Sequence, residues 1–176
     1  MAIDRQKTET VHWHAVFTAS RAEKKVRDRL EELGVECFLP VQMVLRQWTY
    51  RKSRVVVPVI AGLVFVRVSR QEQVKVLQTK GVVAFLRLKG EAGAAVIPDK
   101  QMEDFRFLLD FSEEAVEMTN ENIKAGDLVR VVKGSLRGME GELIRHKGVT
   151  KVLVRIDMLG CAMVNIPASF VEKLNK

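Results

Sequence analysis

The sequence predicts an α+β chain: an antiparallel sheet flanked by helices over residues 11–111, an acidic linker over 112–122, and a small all-β, SH3-like barrel over 123–176. Three observations carry this. Strand-period and helix-period apolar patterns alternate as far as Phe111, whereas only short strand patterns follow the linker. The net charge of +7 divides into +6 over residues 1–111, −4 over 112–122 and +5 over 123–176. Gly126–Leu143 sets three glycines between two strand patterns, the composition of a tight corner. A length of 176 residues and an apolar share of 47% allow two small domains, each with a core.

Residues 1–10 are polar and lack an apolar run, so they read as a flexible N-terminus rather than a secretory signal. Trp13–Thr18 alternates as a strand, with Trp13, Ala15 and Phe17 on one face. Ser20 and Glu23 have capping-box spacing before the helical stripe Ala22, Val26, Leu30 and Leu33, and Gly34 is the expected C-terminal cap. Val35–Val44 reads as a second strand region, with Pro40 marking an edge or bend. Leu63–Val68 is the central strand, after turn signals at Pro58 and Gly62. Ser69 and Glu72 form a second capping box for a short helix, and Val82–Leu88 is a further strand. Asp99 is the expected cap of a helix over residues 100–111, with Met102, Phe105, Leu108 and Leu109 inward. Short strands are expected at 128–132, 140–146, 150–157 and 161–166, with a tail near Phe170 and Leu174.

Leu45–Arg54 reads as a hairpin tip. No acidic residue occurs between Glu36 and Glu72, while Arg46, Arg51, Lys52 and Arg54 flank Trp48 and Tyr50. Guanidinium groups grip phosphate and aromatic faces stack on unpaired bases, so this composition points to a nucleic-acid contact. A solvated hairpin with Trp48 packed on the core is the alternative.

Cys37 and Cys161 lie in different predicted domains with no metal spacing, so reduced thiols in a cytoplasmic protein are expected. His12, His14 and His146 sit in no metal-spaced or nucleophile-elbow context, so no catalytic residue, cofactor or metal is expected. The longest apolar run, Val55–Val66, is too short to span a bilayer, and no membrane partner is expected. A monomer is the expected state.

The stretch Gly126-Asp-Leu-Val-Arg-Val-Val-Lys-Gly-Ser-Leu-Arg-Gly-Met-Glu-Gly-Glu-Leu143 resembles the KOW motif of transcription elongation factors and some ribosomal proteins. Upstream, Leu30-Glu-Glu-Leu-Gly34-Val-Glu-Cys-Phe38-Leu-Pro40, Pro58-Val-Ile-Ala-Gly62-Leu-Val-Phe65-Val, Gly81-Val-Val-Ala-Phe85 and Ile97-Pro98-Asp99 resemble the N-terminal domain of NusG-type factors. The two resemblances stand in the family's order and together cover roughly Val11–Leu174. They imply a transcription elongation or antitermination factor that binds RNA polymerase through residues 11–111. They imply a docking patch from Phe17, Ile60, Phe65 and Phe85, although each also fits plain core. Arg46, Trp48, Arg51, Lys52 and Arg54 would then face DNA of the transcription bubble. The KOW domain would recruit a ribosomal protein or a termination factor through Leu159 and Gly160. Two departures dilute the general pattern: His14 follows Trp13 where the family often has Tyr, and Ile60-Ala-Gly-Leu63 replaces Phe-Pro-Gly-Tyr. The stretch Arg46-Gln-Trp48-x-x-Arg51-Lys52 is similar to specialised UpxY-type paralogues that antiterminate long operons such as capsular polysaccharide loci. The alternative is a ribosome- or RNA-binding KOW protein that does not act on polymerase, which predicts tight, salt-sensitive binding to free RNA.

Overall fold

The computed structural model describes residues 9–174, so residues 1–8 of the expected flexible N-terminus lie outside the described residues. It has twelve strands, three α-helices and one 3₁₀ turn among those residues, arranged in two compact units. The first unit runs to Leu39 and resumes over Gly62–Val96; the second takes Pro40–Ala61 and the chain from Ile97 onward.

In the first unit, β1 (His12–Thr18), β2 (Glu36–Phe38), β5 (Leu63–Val68) and β6 (Val82–Phe85) form an antiparallel sheet in the order β2-β5-β1-β6. The apolar run of β5 is buried almost throughout, so both faces of this central strand are covered. Helix α1 (Glu23–Glu32) departs from the expected cap. Its N-cap is Ala22 and receives no side-chain bond. The Glu23 carboxylate instead accepts from the Gly62 N–H at 2.7 Å, tying the helix to the turn before β5. The other end behaves as expected: after Gly34 the chain returns a hydrogen bond from the Val35 N–H to the Leu30 carbonyl at 3.0 Å. Helix α2 (Glu72–Leu77) does carry its capping box: the Ser69 N–H donates to Glu72 at 2.9 Å, and the Glu72 N–H donates to the Ser69 hydroxyl at 3.4 Å. Under α2, His14 donates from Nδ1 to the Ala95 carbonyl at 2.8 Å, and burial holds its imidazole below the ordinary histidine range.

In the second unit, β3 (Val41–Trp48) and β4 (Arg51–Pro58) form a two-stranded hairpin. Helix α3 (Asp99–Phe111) begins with Pro98 at the cap position, so Asp99 sits in the first turn, where its charge suits the helix dipole. Met102, Phe105 and Leu108 of the expected stripe are buried, whereas Leu109 is half-buried. Six strands complete the unit: β7 (Glu117–Thr119), β8 (Asp127–Val131), β9 (Glu140–His146), β10 (Val149–Ile156), β11 (Gly160–Asn165) and β12 (Val171–Lys173). Their antiparallel order is β12-β8-β9-β10-β11-β7. The predicted corner glycines are used: Gly134 and Gly138 take positive φ, and a Cβ on Gly141 would stand 2.9 Å from the Leu153 carbonyl. Strand β7 falls inside the stretch expected to be linker. Three residues of it pair with β11, and Glu117 reaches the buried Lys151 ammonium at 2.6 Å. Sequence pattern misses so short a strand because its pairing partners, Cys161 to Met163, lie far along the chain.

Arg155 and Glu142 organise the entry to this sheet. They form a two-pronged ion pair at 2.6 and 2.9 Å; Arg155 also donates to the Ile123 carbonyl at 3.0 Å, and the Gly126 N–H donates to Glu142 at 3.0 Å. The Arg155 bonds hold the Glu142 carboxyl below its ordinary range. A depressed folded pKa stabilises the fold fully above the unfolded value, about 4.3, and this contribution is lost as pH falls through the folded value. We therefore expect chemical denaturation to show an acid loss of stability below about pH 4.3 that is flatter in Glu142→Gln.

The two cysteines are free, and burial pushes the Cys37 thiol to about 11 and raises Cys161, so both are poor nucleophiles at neutral pH. No helix among the described residues is long and apolar enough to cross a membrane.

Candidate nucleic-acid interface

The hairpin presents its basic residues through a simple register. Val44 opposes Val55, Arg46 opposes Ser53 and Trp48 opposes Arg51, so these share one face with Gln42 and Val57. Met43 opposes Val56, Leu45 opposes Arg54 and Gln47 opposes Lys52 on the other face. Thr49 and Tyr50 form the turn, and Tyr50 is 98% exposed. The predicted nucleic-acid residues are therefore all exposed but divide between faces: Arg46, Trp48 and Arg51 lie together, with Lys52 and Arg54 behind them. Trp48 is 56% exposed, which sets aside its packing on the core.

Among the described residues no carboxylate pairs with Arg46, Arg51, Lys52 or Arg54. Four cations on a narrow ribbon, with an indole among them, can neutralise phosphates and stack on a base. The base of the ribbon is anchored. Gln42 Nε2 donates to the Val116 carbonyl at 3.2 Å, and its Oε1 accepts from the Val116 N–H at 2.9 Å. Sequence reading missed Gln42, because a glutamine on a strand carries no signal of a distant backbone partner.

Of the expected docking residues, Phe17, Phe65 and Phe85 lie in the first unit and Ile60 in the second. Phe65 is 0% exposed, its ring 6.2 Å from that of Phe38, and Phe85 is 4% exposed with its ring T-shaped to that of His14. Both are buried, which is where the plain-core alternative places them. The physical reason is position: Phe65 is on the central strand β5, whose two faces are both covered, and Phe85 is on β6, which packs against α2. Phe17, near the end of β1, is 42% exposed, and Ile60 in the second unit is half-buried.

The turn between β10 and β11 carries the remaining predicted contacts. Leu159 is half-buried, its N–H bonded to the Ile156 carbonyl at 3.0 Å, while the neighbouring Met158 is more exposed at positive φ. The Asp157 N–H donates to the Gln101 side chain of α3 at 2.8 Å. A Cβ on Gly160 would lie 2.2 Å from the Thr119 carbonyl oxygen, so glycine is needed there for packing.

A family model described as "NusG: Transcription termination factor nusG" matches residues 11–106, more than half of the chain. The chain belongs to the NusG family. This places it among transcription factors, and both its basic hairpin and its buried β5 fall inside the NusG match. Solved structures similar to it include one described as "Domain interaction in Thermotoga maritima NusG", at 22% identity and a TM-score of 0.47, covering 94% of this chain and 98% of that one. Another is a chain of the MjSpt4:Spt5 complex in conformation B, at 17% identity and a TM-score of 0.31, covering 93% and 97%. Conformation A of that complex gives 17% identity and 0.29, covering 93% and 99%. The comparison with curated proteins gives no match.

Proposed function

We propose that this NusG-family chain is a transcription elongation and antitermination factor that binds RNA polymerase and lays the β3–β4 hairpin against DNA of the transcription bubble. The observation that supports this most is an exposed hairpin with four cations that pair with no carboxylate among the described residues, and an exposed tryptophan, within the region that matches the family. Such a factor acts by binding the elongating form of the polymerase better than the paused form, which shifts the population without chemistry. Phe17 and Ile60 are the two aromatic and aliphatic contacts still accessible for docking. The six-stranded sheet, with its Gly134, Gly138 and Gly141 corner, is read as a KOW domain that offers the Asp157–Gly160 turn, with Leu159, to a ribosomal protein or termination factor. The composition of the hairpin favours the specialised role on long operons such as capsular polysaccharide loci.

Transcription in vitro on long templates with the protein's own polymerase tests this reading. Added protein is expected to increase readthrough of terminators. A pull-down that recovers folded protein and no polymerase overturns it, and tight binding to free RNA alone favours the ribosomal class. Arg51→Glu with Lys52→Glu is expected to return readthrough close to the level without factor. Because both side chains are exposed, stability should stay within about 0.5 kcal/mol. The slope of log affinity for bubble DNA against log salt should shrink by about 1 for each phosphate contact removed.

A further inference from the structure

We propose that the hairpin works on two faces: Arg46, Trp48 and Arg51 hold nucleic acid, while the opposite face, Met43, Leu45 and Val56 with Lys52 and Arg54, docks on an acidic protein surface of RNA polymerase that carries an apolar ridge. This rests on the function proposed above: it keeps Arg46, Trp48 and Arg51 for DNA and gives Met43, Leu45 and Val56, which that reading leaves unused, a partner shared with Lys52 and Arg54.

The register is the first ground. Met43 and Val56 are direct cross-strand partners, and Leu45 and Arg54 are the next pair on that face. Their aliphatic members are 60%, 46% and 63% exposed for Met43, Val56 and Leu45. Three adjacent aliphatic side chains on a two-stranded ribbon form a patch that water covers poorly. The chemistry of the two faces differs. The indole of Trp48 offers a flat π-surface to a base, whereas the branched and thioether side chains of the second face have none. Aliphatic area is stabilised by burial against other apolar atoms, which a protein ridge supplies and a phosphate backbone does not.

Charge selects the kind of protein. Gln47 opposes Lys52 beyond the apolar pairs, so the cations on this face stand toward the tip, with no acidic residue anywhere between Glu36 and Glu72. A docking surface that buried the aliphatic pairs would bring its own carboxylates against Lys52 and Arg54, and an acidic rim is the complementary choice. The two Gln42–Val116 bonds hold the base of the ribbon, so the surface is presented preformed.

The test uses the full chain, core RNA polymerase free of nucleic acid, and a bubble DNA free of polymerase. Met43→Ser with Leu45→Ser is expected to weaken polymerase binding about tenfold or more, with DNA binding unchanged. Arg46→Glu with Arg51→Glu is expected to do the reverse. A charge-sign pair guards against misfolding: Leu45→Glu should weaken polymerase binding much more than Leu45→Lys, since only the former repels an acidic surface. Equal polymerase binding by the Met43/Leu45 variant and wild type overturns the inference while leaving the proposed function standing. Loss of DNA binding by that same variant overturns it in favour of nucleic acid on both faces. Wild-type protein that binds no polymerase removes the proposed function, and this inference with it.

Discussion

Phe65→Ala is expected to destabilise the protein by about 3–5 kcal/mol, the range for deleting a fully buried aromatic ring, and to abolish polymerase recovery only because little folded protein remains. Phe65 sits on β5 between β2 and β1, with Ala15 its partner on β1, and nothing there can collapse into the void without moving the sheet. Phe17 lies on the same strand face two residues beyond that pair, opposite Leu63, yet is 42% exposed. Phe17→Ala should therefore cost about 1 kcal/mol or less in denaturation, since half its surface is already wet. If Phe17 docks on the polymerase, this variant loses recovery while remaining folded. Denaturant titration and pull-down of both variants separate the two roles. A Phe65→Ala protein that is folded as firmly as wild type would refute the burial on which the argument stands.

This contrast also shows what was legible in the sequence. Alternation along β1 and β5 reveals which side chains share a face, but not how far along the sheet the cover extends. Phe17 and Phe65 therefore read alike until the partner strands are placed. Local signals fared better where their partners were local. The Ser69–Glu72 box forms because donor and acceptor lie three residues apart and nothing competes. The matching Ser20–Glu23 spacing fails because the Gly62 N–H, 39 residues from Glu23 along the chain, captures its carboxylate. The hairpin was legible from composition, since cations without nearby acids belong on the surface, and its division into faces followed once the register was known. Gln42 and β7 were not legible, because each is defined by a backbone partner far along the chain rather than by its own neighbours.

Gly160→Ala is the second large effect. Gly160 has φ +104, a conformation that L side chains rarely adopt, and imposing it on alanine costs about 1–3 kcal/mol. The added Cβ would also stand 2.2 Å from the Thr119 carbonyl and 2.7 Å from the Asn120 side-chain oxygen. A backbone carbonyl cannot rotate aside, so β7 must shift away from β11. That movement separates Glu117 from Lys151, whose ammonium group is buried against it at 2.6 Å, and leaves a cation without its counter-charge. We expect a total loss of about 3 kcal/mol or more, with amide exchange at residues 117–119 rising first, since the edge strand opens before the rest of the sheet. Gly148→Ala is the control. It too has positive φ, +81, but no atom lies within 4 Å of the new Cβ, so it should cost only the backbone strain. Equal losses in the two variants would show that Gly160 matters for its φ alone. Leu159→Ala completes the comparison, because it leaves the turn's backbone intact. A fall in partner recruitment with unchanged stability would make Leu159 a contact and Gly160 its structural support.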